Sequence, residues 1–192
     1  MRILLASAVA IAPLMAASGA MAEVVISTAR TTPITTSNAT GSGADSIRIA
    51  SGGSITVNSG VAVTVNSSHD FTLQTGGRIT MEESANGSTG VLVNGGNTAD
   101  ITIAGTITID DDITSETNTD TDKDGDPDGP WATGSGRYGV RVAGAAPLVG
   151  DILVDRTGSI RVDGADSYGI SVEAPLDGDL KVYGNVSVLG DD

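Results

Sequence analysis

A repeated order of three short alternating runs constrains the fold of this chain more than any other feature. Three segments carry these runs in the same order: GVLV, DITI and GTITI from Thr89; GVRV, DILV and GSIRV from Tyr138; GISV, DLKV and GNVSV from Tyr168. Apolar residues stand two apart within a run, as Ile101 and Ile103 do, so one side of each strand would face a core and the other side water. A single three-strand unit cannot bury its apolar side, whereas stacked units share a continuous core. The pattern therefore predicts an all-β parallel β-helix with three short strands per coil.

The same pattern continues upstream in a looser form. It is present in DSIRIASGGSITV from Asp45, in GVAVTV from Gly60 and in DFTLQTGGRITM from Asp70. At roughly 20 to 30 residues per repeat, about five coils are expected between Asp45 and the end of the chain. The Ser/Thr-rich segment 23–44 is predicted to be an entry segment or N-terminal cap. Aromatic residues make up only 3% of the chain and glycines number 26, which suits thin strands and tight turns.

Residues 1–22 have the pattern of a cleaved secretory signal peptide. Arg2 precedes an apolar run over residues 3–17, and Ala20-Met21-Ala22 is a small-x-small cleavage site. The apolar run is too short to span a bilayer comfortably, and no later run is longer. The chain is therefore expected to be exported, without a membrane-spanning segment in its mature form; an N-terminal anchor is the alternative.

The strong negative charge restricts the partners of the chain. It has 10 Lys and Arg against 24 Asp and Glu, and removal of the signal peptide would take away Arg2 and no acid, changing the formal charge from −14 to −15. Nucleic acid and anionic lipid would repel such a chain. Because there is no cysteine, stability must come from coil stacking or from a metal ion rather than from disulfides.

Extra length between two of the repeats indicates an acidic insertion at about residues 112–136. Gly90 and Gly139 are 49 positions apart, whereas Gly139 and Gly169 are 30 apart. The insertion contains aspartates at alternate positions, and in an EF-hand alignment they take positions 1, 3, 5, 7 and 9, with Gly125 at the turn. These candidate calcium ligands are Asp120, Asp122, Asp124, Asp126 and Asp128.

The calcium motif is incomplete at its end. Trp131 stands at position 12, where an EF-hand has a bidentate Glu, so the insertion resembles the Asp-rich loops of thrombospondin type 3 repeats more than an EF-hand. The last ligand would have to come from elsewhere, such as Glu116. A calcium affinity of about 10⁻⁴ to 10⁻³ M is expected if the ion binds. A solvated acidic loop without calcium is the alternative.

An export signal, glycine-punctuated I-x-V triplets and an Asp-rich insertion running into GPWATGSGRYGVRV occur together in this chain. This combination resembles the N-terminal passenger region of bacterial autotransporters. The resemblance implies a right-handed β-helix carried to the outside of a Gram-negative outer membrane, and parallel crossovers have the same preferred hand. The C-terminal translocator barrel of that family is not present in residues 1–192. We therefore expect a fragment of a longer passenger with a barrel downstream in cis, or a chain that is capped and exported by a barrel in trans.

The expected function is that of a non-enzymatic scaffold, displayed on the cell surface or secreted. An adhesin-like chain of this kind would bind a host or surface glycan or protein through a side face or through the insertion. The alternative is a fragment of a β-helix polysaccharide lyase or hydrolase whose catalytic coils lie beyond residue 192. Arg141, Arg161 and Lys181 are predicted to point outward on three different strand types, so they should not converge on a polyanionic substrate. No catalytic residue is assigned, and enzyme activity is not expected.

Two sets of residues are predicted to face outward. Tyr138 and Tyr168 precede the same glycine in successive repeats, with Thr89 one repeat earlier, which predicts a short stacked column. A flat threonine face could bind ice or mineral, but the outward threonines are predicted to lie on successive strands rather than on one face. These are Thr56, Thr64, Thr72, Thr80, Thr102 and Thr108.

Overall fold

The computed structural model describes residues 23–111, 123, 132 and 134–190. Within them the chain forms nineteen short strands and one 3₁₀ turn at Thr36–Asn38. The strands are β1 (Glu23–Ile26), β2 (Ala29–Arg30), β3 (Ile34–Thr35), β4 (Ser46–Ile49), β5 (Ser54–Thr56), β6 (Val61–Val65), β7 (Phe71–Leu73), β8 (Arg78–Met81), β9 (Thr89–Asn94), β10 (Ile101–Ile103), β11 (Thr106–Ile109), β12 (Tyr138–Ala143), β13 (Leu148–Val149), β14 (Ile152–Val154), β15 (Ser159–Asp163), β16 (Tyr168–Val172), β17 (Leu176–Asp177), β18 (Leu180–Val182) and β19 (Asn185–Leu189).

The strands assemble into three long parallel sheets, which the chain visits in turn. The first sheet has the order β1-β4-β7-β10-β14-β18, the second β2-β5-β8-β11-β15-β19 and the third β3-β6-β9-β12-β16. A small fourth sheet pairs β13 with β17 at one corner. Each of the first five coils therefore contributes one strand to each long sheet, and the prediction of an all-β parallel β-helix with three strands per coil is confirmed.

The β-helix begins one coil earlier than the sequence pattern indicates. The segment 23–44, predicted as an entry segment or cap, supplies β1, β2 and β3, which pair in parallel with β4, β5 and β6. Five strands of the first sheet follow from Asp45 onward, so the expected five coils are preceded by a sixth. The boundary at Asp45 was wrong because β2 and β3 have only two residues each, too few for alternation to be visible in the sequence.

Inward-facing residues of successive coils stack directly on one another. In the first sheet Ile47, Phe71, Ile101 and Ile152 are register partners, and all four have 0% of their surface exposed. Each such side chain contributes about 1.5 to 3 kcal/mol by leaving water. The single phenylalanine of the chain is one of them. A column of this kind needs little aromatic content, because the next coil covers each residue.

The glycine that recurs before the third-sheet strands is required by close packing rather than by a turn. A Cβ on Gly90 would lie 2.7 Å from the Gly139 carbonyl oxygen and 2.8 Å from Ile107 Cγ2 of the second sheet. Gly139 stands in the same position against Gly169 in the next coil. Corner glycines behave differently: Gly76 has a φ of 83°, a conformation that favours glycine. Glycines of both kinds punctuate the repeat.

The aspartate that recurs before the first-sheet strands links one coil to the next. The backbone N–H of Asp100 donates to Asp70 Oδ1 at 2.9 Å, that of Asp151 to Asp100 Oδ1 at 2.8 Å, and that of Asp179 to Asp151 Oδ1 at 2.9 Å. The Asp179 N–H, followed by the Lys181 ammonium, lowers the pKa of Asp151 below its ordinary value. The aspartates of DFTL, DITI and DILV thus satisfy backbone donors of the next coil at a corner where the strand pairing stops.

Segments 31–33, 57–60, 82–88, 110–137 and 164–167 connect the second sheet to the third and together form one edge of the β-helix, here called the insertion corner. The predicted insertion at 112–136 falls within the fourth of these segments. The strands on either side keep their partners, since β11 pairs with β8 and β15, and β12 pairs with β9 and β16. The strands that precede and follow the insertion therefore remain paired within their sheets.

Substituting Gly139 by alanine tests the close packing of the recurring glycine. The added methyl group would overlap Ile160 Cγ2 and lie 2.5 Å from the Gly169 carbonyl oxygen, so we expect the free energy of unfolding to fall by about 1 to 3 kcal/mol. Urea unfolding followed by circular dichroism measures this change. Gly43→Ala is the matched control, because its nearest neighbour would be Thr40 Oγ1 at 3.8 Å. Equal stability of the two variants would contradict the packing explanation.

Candidate functional site

The five candidate calcium ligands, Asp120, Asp122, Asp124, Asp126 and Asp128, and also Trp131, lie outside the described residues. The two ends of the insertion are described: Asp110 and Asp111 where the chain leaves the second sheet, and Gly134–Arg137 where it returns to the third. These residues are called here the base of the insertion. Among the residues that the structure describes, no group of three or more His, Asp or Glu side chains could hold a metal ion.

Arg137 occupies the centre of the base and is 2% exposed. Its Nη2 donates to Asp111 Oδ1 at 2.9 Å and also contacts the Ser84 carbonyl oxygen, while its Nη1 donates to the Asp163 carbonyl oxygen at 2.7 Å. The second oxygen of the Asp111 carboxylate accepts the Gly134 N–H at 2.7 Å. One buried ion pair therefore joins the residue that leaves the stack to the residue that returns to it.

The guanidinium also joins three coils. Ser84 belongs to the coil before the insertion and Asp163 to the coil after it, so Arg137 makes contacts in both directions along the stack. Its Nε has no hydrogen-bond partner among the described residues. Because a buried charge is costly unless it is paired and hydrogen-bonded, the alignment of three acceptors around this guanidinium fixes the position of the base.

Backbone hydrogen bonds hold the returning segment between its neighbours. The Ser135 N–H donates to Asn86 Oδ1 at 2.9 Å and the Gly87 N–H to the Ser135 carbonyl at 3.0 Å. On the other side, the Ala165 N–H donates to the Gly134 carbonyl at 2.8 Å. The base is therefore part of the rigid stack.

The side chain of Asp163, whose backbone carbonyl accepts from Arg137, forms a second ion pair. Asp163 is 3% exposed and accepts two hydrogen bonds from Arg161, at 3.1 Å from Nε and 2.7 Å from Nη2. Burial, and a hydrogen bond shared with the Asp110 carboxyl, raise the pKa of Asp163 above its ordinary value, while Arg161 opposes that rise. We take burial to dominate, because Arg161 is itself 53% exposed and water screens its charge.

Sequence reasoning did not identify Arg137, Asp111 or Asp163. The sequence contains one indication of the pair: opposite charges flank the insertion, with Asp110-Asp111 before it and Arg137 after it. Alternation could not reveal the pair, because both residues lie outside the strands. Only the closing of the insertion brings their atoms within 2.9 Å.

The three outward cations are placed as predicted, on three different sheets. Arg141 lies in the third sheet opposite Leu92 and Ser171, Arg161 in the second and Lys181 in the first. Each has an acidic partner: Glu173 for Arg141 at 2.8 Å, Asp163 for Arg161 at 2.7 Å and Asp179 for Lys181 at 2.9 Å. They do not form a common basic surface.

The predicted tyrosine column is confirmed. Tyr138 and Tyr168 are register partners whose rings stack at 5.5 Å between centroids, and Thr89 pairs with Tyr138 in the preceding coil. The Arg141 guanidinium lies over the Tyr138 ring, 4.3 Å from its centroid, a favourable cation–π position. The Tyr138 ring is therefore covered by Tyr168 and Arg141, whereas Tyr168 itself is 49% exposed.

The prediction that the outward threonines do not share one face was partly wrong. Thr56, Thr80 and Thr108 are register partners and form one column on the second sheet. Strands in successive coils become neighbours only when the coils stack, which is why the column is hidden in the sequence. The column continues with Arg161 and Ser187 in the last two coils, so the threonine array is limited to three coils.

Comparisons with known proteins add no relative: no family model, no curated protein and no solved structure matches this chain. Within the described residues, no helix has the length and apolar character needed to cross a membrane.

Replacing Arg137 by methionine tests the base directly. The substitution leaves the Asp111 carboxylate buried without its cation, so we expect the free energy of unfolding to fall by about 3 to 5 kcal/mol. The double variant Arg137→Met/Asp111→Asn should recover part of this loss, because it removes the uncompensated charge. Urea unfolding measures both changes. Arg141→Met removes an exposed ion pair and is the control, with a small expected effect; an equally large loss in this control would contradict the special role of the buried pair.

The raised pKa of Asp163 predicts a pH dependence of stability. A carboxyl whose pKa is higher in the folded state contributes stability that is complete below its unfolded pKa of about 4 and is lost as the pH rises through the folded pKa. Asp163→Asn cannot ionise. The stability of the wild type relative to this variant should therefore decrease as the pH rises above about 4, as measured by urea unfolding at each pH. A constant or increasing difference would show that Arg161, not burial, controls this group.

Proposed function

We propose that this chain is the N-terminal part of a β-helical passenger of a Gram-negative autotransporter, acting as a non-enzymatic scaffold that presents the acidic insertion 112–136 at the cell surface or in the medium. The observation that carries the proposal is the buried Arg137–Asp111 pair at the base of the insertion. An insertion that merely added length would need no buried ion pair, whereas one that must keep a defined position on the stack benefits from such a base.

The rigidity of the support follows from the stack. The returning segment is hydrogen-bonded to the coils before and after it, and the strands that flank the insertion retain partners on both sides. Loops held by a rigid framework are where proteins most often place binding residues. The partner would be a host or surface glycan or protein, and the passenger would reach it through an outer-membrane translocator barrel, in cis or in trans.

The contrasting function, a glycan-active β-helix enzyme, receives less support. Its substrate would need convergent cations, and Arg141, Arg161 and Lys181 lie on three sheets with acidic partners. The acidic balance of the chain also disfavours a polyanionic substrate.

Cell fractionation with an antibody against residues 23–192 tests the proposed location. We expect the protein in the outer membrane or the medium, and its insertion accessible to protease on intact cells. Replacing residues 113–131 by a short Gly-Ser linker should leave export and the urea unfolding curve unchanged and reduce attachment of the cells to immobilised host glycans and matrix proteins. An insertion of the same composition in scrambled order is the control. Protein confined to the periplasm would contradict surface display, and unchanged attachment would contradict a binding role of the insertion.

We further propose that calcium binds within the insertion through Asp120, Asp122, Asp124, Asp126 and Asp128, and orders it. Isothermal titration of the purified chain should show binding with a Kd of about 10⁻⁴ to 10⁻³ M. Asp122→Asn/Asp124→Asn should abolish the heat, because it removes two carboxylate ligands, whereas Asp166→Asn/Asp177→Asn, with the same loss of charge elsewhere, should not. No heat at several times that concentration would establish the solvated acidic loop instead.

A further inference from the structure

An open groove of about 550 Å³ lies on the insertion corner, in the coils that precede the insertion. Its apolar lining comes from Pro33 and Val57. The polar lining comes from three successive coils: Thr31 from the first, Thr56, Asn58 and Ser59 from the second, and Glu82 and Glu83 from the third. The volume is within the range of about 300 to 1,000 Å³ that is usual for ligand sites. The groove and the base of the insertion are therefore adjacent on the same edge of the β-helix.

Within the part of the chain that the structure describes, the polar side chains of this groove have no intramolecular partners. None of Thr31, Thr56, Asn58, Ser59, Glu82 and Glu83 makes a side-chain hydrogen bond or ion pair within the described residues. The next polar residues on the same corner differ, since Ser84 and Asn86 both bond through their side chains, to the Asp110 carbonyl and the Ser135 N–H. The change occurs within three positions of the chain. The polar side chains at 84 and 86 are thus used in intramolecular hydrogen bonds, whereas those of the groove remain free to bind a ligand.

The charge and length of the groove define its occupant. The carboxylates of Glu82 and Glu83 pair with no cation of the described residues, so the groove favours a positively charged ligand. An Arg guanidinium or a Lys ammonium is the group that binds carboxylates best. Three coils spaced by about 4.8 Å give a length of about 10 Å, which an extended chain covers in about three residues at 3.3 Å each. Threonine hydroxyls and the Asn58 amide can bond the peptide groups of such a segment.

We propose that this groove binds an extended basic segment of a partner protein, with Glu82 and Glu83 receiving its Arg or Lys side chains. The proposal goes beyond the display of the insertion and does not depend on it, because the groove consists entirely of residues outside the base. The acidic balance of the whole chain would speed the encounter with such a partner.

Fluorescence anisotropy with the purified chain and a labelled Gly-Arg-Gly-Arg-Gly peptide tests the proposal. Glu82→Gln/Glu83→Asn should weaken binding about tenfold, as expected for the loss of two charge contacts. Asn is chosen at position 83 because Glu83 has a φ of 47°, a left-handed conformation that Asn tolerates. The matched control Asp166→Asn/Asp177→Asn also removes two exposed charges and one left-handed acid, and it should change the affinity less than about twofold, since exposed charges at a distance are screened.

Three results would overturn the proposal. The first is an equal loss of affinity in both double variants, which would show general attraction to an acidic protein. The second is a loss of binding only when residues 113–131 are replaced, which would assign the peptide to the insertion. The third is binding of a neutral oligosaccharide in competition with the peptide and unaffected by Glu82→Gln/Glu83→Asn, which would assign the groove to a glycan. Because purified protein is used, failure of surface display would leave this measurement interpretable.

Discussion

Parallel stacking of one coil on the next supplies both the backbone hydrogen bonds and the apolar contacts of this β-helix. Its effect is visible where the stack ends within the described residues. Ile152 and Val154 have neighbours on both sides and are 0% exposed, whereas their register partners Leu180 and Val182 in the following coil are 44% and 45% exposed. The same type of residue in the same position is therefore buried only when a further coil covers it. A core of this kind needs small, β-branched side chains and close backbone approach, which explains the low aromatic content and the recurring glycine.

Stacking also explains how the chain accommodates a long acidic insertion. Each strand depends on the strands one coil before and one coil after it, and not on the length of the connection at a corner. The connection can therefore lengthen without loss of pairing, provided that its two ends meet again. The ion pair between Arg137 and Asp111 fixes the contact between these two ends, and it requires that two charges be buried together.

The acidic balance of the chain has a structural role as well as a functional one. Asp100 and Asp151 accept backbone N–H groups from the next coil, and both oxygens of Asp111 are used at the base of the insertion. Carboxylates thus replace missing strand partners at corners, where the backbone would otherwise have unsatisfied donors. Within the described residues, Glu82 and Glu83 accept no hydrogen bond of this kind. They therefore differ from the aspartates that link one coil to the next.

Local pattern determined the fold class, the three strands per coil and the tyrosine column, because alternation and recurring glycines report directly on which side of a strand faces the core. The first coil was missed, because two-residue strands such as Ala29–Arg30 show no alternation. The tertiary structure alone decided which distant residues become neighbours. Thr56, Thr80 and Thr108 form a column, Arg137 is buried against Asp111, and residues of three coils line one groove, since each of these arrangements depends on the register between coils. That register arises from stacking and corner geometry, which no single segment of the sequence contains.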